Sequence, residues 1–465
     1  MKRFARSAAV ATVTVMTLGA ALTGCGSSNS NASDQKSIKV WSLENQTDRF
    51  TKTQATAKAF TTKTGIKVDL QAVDEAQLPQ LVAQAAQAGT LPDVIGGVSL
   101  ASVRQFDTQK LLDTATAAAV IKDLGESTFA SSAIKLTKDG DRQLAVPSDA
   151  WSQILVYRKD LFAAAGLAPP TNYDALEKAA GALTKPGQFG ITLSTDPADV
   201  FTSQTFESLA LGNNCQLVDD AGAVALKSPA CSKTFQLYRK LATQDSPKGT
   251  QTVDTTRESY FAGQSAMVIW STFLLDELGG LRNDALPTCP QCKADKTWLA
   301  KNSGVVTAVT GPDGKSSGSF GEIGSWTAMS GGKADPGKQF IEHMMSGGYT
   351  DWLGLAPEGK FPTRNGDATN PQKYVNAWKK LPAGVDVKKP LSDIYDAATM
   401  TQISSVNQHI DRWAIPEGQG ALLGPTIAEL PLPKIIAKMD SSGLGAATAA
   451  TQAQAAVEKV QKALK

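Results

Sequence analysis

The sequence predicts an α/β fold of two lobes, each a mixed, mostly parallel sheet flanked by helices, with hinge crossovers between the lobes. Apolar runs alternate with helices that stop at glycine, a pattern typical of βαβ units. The chain has 465 residues, which is more than one hydrophobic core usually holds. Residues 144–176 combine a proline, a long β-branched run and a short helix closed by Gly166, an order that indicates a crossover between lobes.

The N-terminus has the features of a secretory signal. Lys2, Arg3 and Arg6 form a basic head, residues 7–21 an apolar stretch, and residues 22–25 a small-residue cleavage site. The four residues that end at Cys25 resemble a bacterial lipobox, which implies that Cys25 is lipidated. The other interpretation is an ordinary signal peptide with a chance cysteine. We expect residues 1–24 to be removed and residues 25–36 to form a flexible tether on the extracellular face of the cell membrane.

Composition narrows the function classes. The 46 basic and 44 acidic side chains nearly balance, and loss of the three basic residues of the signal would leave a net charge near −1. A surface so close to neutral argues against nucleic acid as a partner. The chain has only two histidines, which is poor material for a metal site. A Gly-Lys-Ser triplet at residues 314–316 lacks the earlier glycine of a phosphate loop, so we predict neither a metal nor a cofactor.

The first part of the mature chain predicts three strands with two helices between them. Strands are expected at residues 38–42, 66–73 and 93–98, and helices at residues 51–64 and 78–88. Ligands of open α/β sheets bind beyond the carboxyl ends of the strands. Glu44 and Asn45 follow the first strand and Ser99 follows the third, so we expect these three residues on the rim of a cleft.

The second part begins at the crossover of residues 145–151, where Asp149 and Trp151 are expected to serve both the hinge and the ligand site. A helix is predicted at residues 173–183 and a strand at residues 188–194. Asp196 therefore follows a strand and either contacts a ligand or caps a helix. Residues 266–269 are expected to form a buried strand. Its exit carries three candidate ligand contacts, Trp270, Ser271 and Phe273.

The remaining elements return to the first lobe and close the chain. A glycine-flanked strand at residues 321–329 predicts a second hinge, with Trp326 facing the cleft. Helices are expected at residues 336–346 and 371–381, a third crossover at residues 395–413 that includes Trp413, and a C-terminal helix at residues 446–464. The predicted N-terminal lobe comprises residues 37–148 and 327–398, and the C-terminal lobe residues 149–326 and 399–465.

Four further cysteines form two sequence-local pairs, as expected of an exported protein. The residues between Cys215 and Cys231 predict a hairpin, so a disulfide would tie its ends. Cys289 and Cys292 have the spacing of a redox or half-zinc motif, but no further zinc ligands lie nearby in the sequence. We expect two structural disulfides, with a redox role for the second pair as the alternative.

Two segments resemble extracellular solute-binding proteins of ATP-driven importers, in the sugar-binding branch that includes the maltodextrin-binding proteins. The first joins Pro147 to Tyr-Arg-Lys-Asp-Leu-Phe at residues 157–162, Ala-Gly-Leu at 165–167 and Pro-Pro-Thr at 169–171; Arg158 replaces the usual Asn, and no role for it follows from the sequence. The second segment is residues 257–270. The resemblance implies the two-lobed fold of periplasmic binding proteins and delivery of a sugar to a membrane permease, without enzyme activity.

The residue types are consistent with a carbohydrate ligand, because sugars present hydroxyl groups to carboxylates and amides and C–H faces to aromatic rings. Five of the eight tryptophans lie at predicted strand ends or crossovers: Trp41, Trp151, Trp270, Trp326 and Trp413. Their number predicts an oligosaccharide, captured by hinge closure of a monomer. Two alternatives remain, namely an exported lipid-anchored carbohydrate-active enzyme that uses Glu44 with Asp149, and a binding protein for a non-sugar solute.

Overall fold

A computed structural model of the protein describes residues 36–315 and 317–464. Cys25 and the predicted signal peptide lie outside the described residues. No helix within the described ranges is long and apolar enough to cross a membrane.

Strands and helices alternate along most of the described chain. The strands are β1 (Ser37–Ser42), β2 (Lys67–Ala72), β3 (Val94–Val98), β4 (Lys138–Asp139), β5 (Arg142–Gln143), β6 (Val146–Arg158), β7 (Met267–Ser271), β8 (Ser303–Val306), β9 (Ser319–Ala328), β10 (Phe361–Pro362), β11 (Pro382–Ala383), β12 (Lys389–Pro390) and β13 (Ile410–Asp411).

The helices of the first half are α1 (Thr47–Thr64), α2 (Leu78–Ala88), α3 (Leu100–Thr108), α4 (Thr114–Leu124), α5 (Ser131–Leu136), α6 (Lys159–Ala164), α7 (Tyr173–Leu183), α8 (Val200–Gly212) and α9 (Pro229–Lys240). Those of the second half are α10 (Val253–Phe261), α11 (Leu274–Leu278), α12 (Trp298–Lys301), α13 (Ala334–Met344), α14 (Tyr349–Leu353), α15 (Lys373–Trp378), α16 (Ala397–Ser404), α17 (Leu423–Glu429), α18 (Pro431–Ser441) and α19 (Ala446–Ala463).

Strand β6 belongs to both halves of the sheet system. Residues 146–152 pair with β9, and residues 149–150 pair with β10 on the other side. Residues 153–158 pair instead with β7 and β8. Beyond β9 the sheet continues through β3 and β1 to β2, with β1 parallel to both β2 and β3. The fold is therefore the predicted two-lobed α/β fold, with β6 and β9 passing between the lobes.

The sequence of β6 suits this double role. Eleven of the thirteen residues of the strand are buried, as expected of a strand covered on both faces, and the apolar run Ile154–Val156 lies within it. Pro147 cannot donate a main-chain hydrogen bond, and the register with β9 shifts between Pro147 and Asp149. The irregularity lies where the crossover was predicted.

Most predicted elements occur in the structure within a few residues. The helix at residues 78–88 has the predicted bounds, and the helix expected at residues 51–64 starts four residues earlier, at Thr47. The strand predicted at residues 188–194 is wrong, because this segment makes only isolated bridges to the chain around β7. Between these bridges the chain passes close to α7, because a Cβ at Gly190 would lie 2.0 Å from the carbonyl oxygen of Ala180.

Candidate functional site

The ends of the parallel strands meet at one edge of the sheet, as the topology requires. Glu44 follows β1, Glu75 follows β2, and Ser99 follows β3 and caps α3 through its hydroxyl. The main-chain N–H of Leu100, at the start of α3, donates to Oε1 of Glu322 on β9 at 2.7 Å. Glu322 thus connects the strand ends of the first lobe to the hinge.

Lys360 is a buried cation beside the strand ends at this edge of the sheet. Its Nζ lies 2.6 Å from Oε1 of Glu44 and 3.3 Å from Oδ2 of Asp149, and it lies 4.2 Å from the ring centroid of Trp352. Oδ1 of Asp149 accepts hydrogen bonds from Trp352 Nε1 at 2.6 Å and from the Ser148 hydroxyl at 2.7 Å. Both oxygens of Asp149 are therefore bound within the protein. The expectation that Asp149 reaches ligand hydroxyl groups is corrected, since its side chain is buried and fixes Lys360.

The carboxylates of this edge differ in their electrostatic surroundings. Burial alone would raise the pKa of Glu44, but the charges of Lys360 and Arg49 outweigh it and hold the pKa below its ordinary value. The pKa of Glu75 is raised, first by burial and then by the charges of Glu322 and Glu44. Glu75 nevertheless keeps an exposed side chain.

A second charged group is built around Arg412 and shares Glu322 of β9 with the first. Arg412 is buried, and its Nη1 lies 2.6 Å from Oε2 of Glu322 while its Nε lies 3.3 Å from Oε1 of Glu207. The guanidinium also covers the ring of Phe320, 4.5 Å from the centroid. Burial raises the pKa of Glu207 to about 7, although Arg412 and the main-chain N–H of Trp413 pull it down.

This group borders a small concave space of about 40 Å³. Its walls combine charged, polar and apolar side chains from α8, β9, α17 and the start of α18, among them Ser203, Gln204, Glu207, Glu322, Arg412 and Trp413. This volume is well below the roughly 300–1,000 Å³ of a typical small-molecule site.

Trp151 is the candidate platform that the structure leaves accessible. Its indole is half-buried beside the hinge, with ring centroids 6.2 Å from Phe273 and 5.6 Å from Phe320. Phe273 is also half-buried and lies two residues after the end of β7. These two candidate residues, one on the hinge strand and one after β7, lie together in the structure.

The prediction that Trp326 faces the cleft is wrong. Its side chain is completely buried and packs against Phe340 and Trp352, with ring centroids 5.7 and 4.8 Å away. A Cβ at Gly96 would lie 2.1 Å from its ring, so the indole fills space that the neighbouring strand leaves open.

Trp270 and Trp413 are also mostly buried, each with its indole N–H bound to a main-chain carbonyl. Trp270 donates to Val253 at 3.1 Å and packs on Phe201. Trp413 donates to Cys215 at 2.7 Å, yet one part of it borders the concave space. Their main role in this structure is packing, so the five candidate tryptophans do not form a continuous platform.

The smaller polar candidates are placed unequally. Asn45 is exposed, with its amide 3.4 Å from Asp74. Oδ1 of Asp196 accepts from the N–H of Ala198 in a turn, and the cap of α8 is Asp199 instead. Ser271 is buried at the end of β7. Of these residues, only Asn45 presents its side chain freely at the edge of the cleft.

The sequence interpretation missed the side chains that dominate the charge of the site: Glu75, Glu207, Glu322, Lys360 and Arg412. Glu75 follows the second strand, so the rule that selected Glu44 and Ser99 would also have selected it. Lys360 and Arg412 carry no such signal, because their roles depend on partners hundreds of residues away in the sequence. No group of three or more potential metal ligands occurs among the described residues.

Both predicted disulfides are present, joining Cys215 to Cys231 and Cys289 to Cys292. The second pair is buried, which supports the structural interpretation. The structure also gives Arg158 a role: its guanidinium binds both oxygens of Asp160 at 2.8 and 2.6 Å and covers the ring of Trp298 at 4.9 Å.

Comparison with known proteins identifies the family of the chain. Residues 44–350 match the family of bacterial extracellular solute-binding proteins. YcjN of Escherichia coli (strain K12), whose name assigns it to the periplasmic-binding proteins of ABC transporters, is 28% identical over 313 residues, covering 66% of this chain and 67% of YcjN.

Solved structures share the fold at low sequence identity. The sugar-binding protein MalE of Xanthomonas citri superposes with a TM-score of 0.70 at 16% identity, covering 91% of this chain and 97% of MalE. The GacH receptor of Streptomyces glaucescens, solved without ligand and with acarbose, superposes with a TM-score of 0.65 at 18% identity, covering 92% and 98%. Lmo0181 of Listeria monocytogenes, solved with cycloalternan, gives a TM-score of 0.64 at 14% identity, covering 92% and 100%.

Proposed function

We propose a function from one premise, that the chain belongs to the family of bacterial extracellular solute-binding proteins. It captures a carbohydrate, most consistently an oligosaccharide, between its two lobes and delivers it to the permease of an ABC importer. The observation that carries the proposal is the set of accessible side chains, in which Glu75 and Asn45 reach solvent at the strand ends of the first lobe and Trp151 on the hinge strand keeps a half-buried ring. Carboxylates, amides and a flat aromatic face are the groups that sugar hydroxyls and C–H faces require.

The relatives support a sugar rather than another solute. The MalE structure is that of a sugar-binding protein, and the GacH receptor and Lmo0181 were solved with acarbose and cycloalternan. The described residues also offer little to a metal ion. We therefore place the ligand between the strand ends of the first lobe and the Trp151–Phe273 pair.

Capture follows from contacts that are made to both lobes at once. A ligand that touches both lobes gains contacts only when they are closed, so its binding shifts the population towards the closed state. The two lobes in this proposal are residues 37–148 with 327–398 and residues 149–326 with 399–465. We further propose a monomer, held on the extracellular face of the cell membrane by a lipid on Cys25 and the tether of residues 26–36.

The contacts of Glu44 and Asp149 do not favour the alternative of a carbohydrate-active enzyme that uses these two carboxylates. Glu44 and Asp149 both bind Lys360, and the lowered pKa of Glu44 keeps it ionised, so it is poorly suited to act as a general acid. Capture and delivery require no covalent chemistry.

Isothermal titration of the mature chain against malto-, cello- and cyclic oligosaccharides, together with their monosaccharides, tests the proposal. We expect at least one oligosaccharide to bind and to remain chemically intact during the titration. Binding of monosaccharides alone, of nothing in the panel, or release of hydrolysis products would contradict it. Membrane fractionation of the full chain and of Cys25→Ser tests the anchor, and the variant should appear in the soluble fraction.

A further inference from the structure

The hairpin of β11 and β12 presents apolar side chains to solvent. Val385 and Val387 lie two residues apart in the loop between the two strands, with exposed fractions of 50% and 42%. Among the described residues, the other exposed large apolar side chains are Ile427 and Leu464, which lie in separate helical segments. Apolar side chains scattered singly over a surface need no partner, whereas neighbouring ones indicate a contact surface.

The loop of this hairpin is fixed to the protein. The main-chain N–H groups of residues 385, 386 and 387 donate to the carbonyl of Leu281 at 3.2, 3.1 and 3.2 Å. The side chain of Asp386, between the two valines, accepts a hydrogen bond from the N–H of Asn283 at 2.7 Å. The two valines are therefore held at the surface by a loop with its own hydrogen bonds.

Lysines surround the two valines. Residues 379–389 contain four, and all of them are exposed: Lys379, Lys380, Lys388 and Lys389. None of the four forms an ion pair with a carboxylate within residues 36–315 and 317–464, whereas Lys338 and Lys373 on other surfaces do. The ammonium of Lys388 binds the carbonyl of Gly384, which keeps this charge beside the loop.

Positive charge predominates in the segment as a whole. Residues 379–393 carry the four lysines and two carboxylates, Asp386 and Asp393. Asp386 is already bound to the main chain of Asn283. The hairpin thus combines exposed valines with uncompensated ammonium groups.

We propose that this hairpin contacts the surface of an anionic lipid bilayer. Lysines attract anionic headgroups and apolar side chains enter the headgroup region, and together these two effects bind proteins to membrane surfaces. Lysine ammonium groups are point charges on flexible stems. They need no fixed partner geometry, which suits a fluid layer of headgroups better than the directional groups of a protein surface.

The position of the hairpin connects this contact with solute capture. Trp378, shortly before β11, donates its indole N–H to the carbonyl of Pro357 at 2.9 Å, so the hairpin adjoins the segment that leads to Lys360 of the candidate site. A tether of residues 26–36 spans at most about 40 Å, which keeps an anchored chain close to the bilayer. Contact through the hairpin turns this side of the site towards the membrane that holds the permease. This orientation rests on the proposed function, whereas the lipid contact does not.

Co-sedimentation of the mature chain without its lipid, residues 26–465, with vesicles tests the contact in the absence of an anchor and of a permease. We expect binding to phosphatidylglycerol vesicles at about 20 mM NaCl, weakened at least about tenfold by about 150 mM NaCl or by phosphatidylcholine in place of phosphatidylglycerol. Equal binding to the two lipids overturns the proposal. Absence of binding to phosphatidylglycerol also overturns it and assigns the hairpin to a protein partner.

Substitutions separate the hairpin from the rest of the surface. Val385→Ser combined with Val387→Ser should weaken binding to phosphatidylglycerol about threefold or more, and Lys389→Gln about fivefold. Lys58→Gln removes the same charge from an exposed position of α1 and should bind like the wild type. Thermal unfolding of all three should match the wild type, because the altered side chains are exposed. Wild-type binding by both hairpin variants, or an equal loss in Lys58→Gln, overturns the proposal.

A fluorescent label locates the contact directly. An environment-sensitive dye on Val387→Cys should shift its emission to shorter wavelength when phosphatidylglycerol vesicles are added, whereas the same dye on Lys58→Cys should not. The four cysteines of residues 26–465 are joined in disulfides and leave the new thiol as the site of labelling. A shift at Lys58→Cys alone, or at neither position while the protein binds, overturns the hairpin as the contact. Glycans play no part in these measurements, so failure of the proposed function and failure of this inference are distinguishable.

Discussion

The ammonium of Lys360 lies 2.6 Å from the carboxylate of Glu44, and this contact ties the end of β1 to the start of β10 at the floor of the cleft. Asp149 of the hinge strand holds the same ammonium from the other side. All three side chains are largely buried, so the cation and its two partners were removed from water together. Such a group contributes little net stability when intact but becomes costly once one member is missing.

Replacing Lys360 by Met should therefore destabilise the protein strongly, because Glu44 and Asp149 would stay buried without a counter-charge. We expect a loss of about 3–5 kcal/mol in the free energy of unfolding, measured by urea denaturation. Lys338→Met is the matched control, since Lys338 also binds two carboxylates but lies at the surface. Its cost should stay below about 1 kcal/mol. Equal losses of stability in the two variants would show that burial of Lys360 and its two carboxylates does not make loss of the cation more costly.

Trp151→Ala should weaken glycan binding while the protein remains folded, because the ring is half-buried beside the proposed ligand. Stacking of a ring on an indole is worth about 1–3 kcal/mol, so the dissociation constant should rise by about 5- to 150-fold in titration calorimetry. Trp298→Ala removes an indole that is also half-buried but packs under Arg158, away from the cleft. It should leave affinity unchanged. Unfolding of Trp151→Ala, rather than weaker binding, would make Trp151 a core residue.

The stability contributed by Glu207 should depend on pH. Burial raises its pKa from 4.5 to about 7, so the folded state holds the proton more tightly than the unfolded chain does. The stabilisation is complete below about pH 4.5 and is lost as the pH rises through about 7. Glu207→Gln should match the wild type at low pH and exceed it by about 3 kcal/mol above neutrality. Urea denaturation at several pH values measures this, and a difference that does not change with pH would contradict it.

Gly359→Ala should disturb the contact between Phe273 and residues 357–360, since the added Cβ would lie 2.0 Å from the ring of Phe273. Either the ring or residues 357–360 must move, which we expect to cost about 1–3 kcal/mol of stability and to weaken glycan binding. Gly181→Ala, on a helix with open space around its Cβ position, should be neutral or stabilising by up to about 1 kcal/mol. Unchanged affinity and stability in Gly359→Ala would show that Phe273 and residues 357–360 can move apart without cost.

The fold was predictable from sequence because its signals are local. Alternating apolar runs and glycine-stopped helices determine the βαβ units, and α2 has the predicted bounds. Strand ends then indicate the position of the cleft, which is why Glu44 and Ser99 could be named. The strand predicted at residues 188–194 forms only isolated bridges, and the close contact of Gly190 with Ala180 in the same segment is one that no local pattern reveals.

The site was less predictable than the fold, and tryptophan shows why. An indole at a strand end has the same sequence signal whether it lines a cleft or fills a core. Trp151 remains accessible, whereas Trp326 fills the space left by Gly96. Long-range ion pairs carry even less local information: Arg412 reaches Glu207 and Glu322 only after the third crossover brings it back to β9.

β6 forms hydrogen bonds with β9 and β10 at one end and with β7 and β8 at the other. Unfolding of either lobe alone would therefore leave part of β6 without its hydrogen-bond partners, although the other lobe still depends on that strand. An unpaired, largely apolar strand of thirteen residues would then be exposed, which strongly disfavours a half-molten molecule. Despite its two lobes and its length, the chain should therefore unfold in a single cooperative transition, with one calorimetric peak whose van't Hoff and calorimetric enthalpies agree.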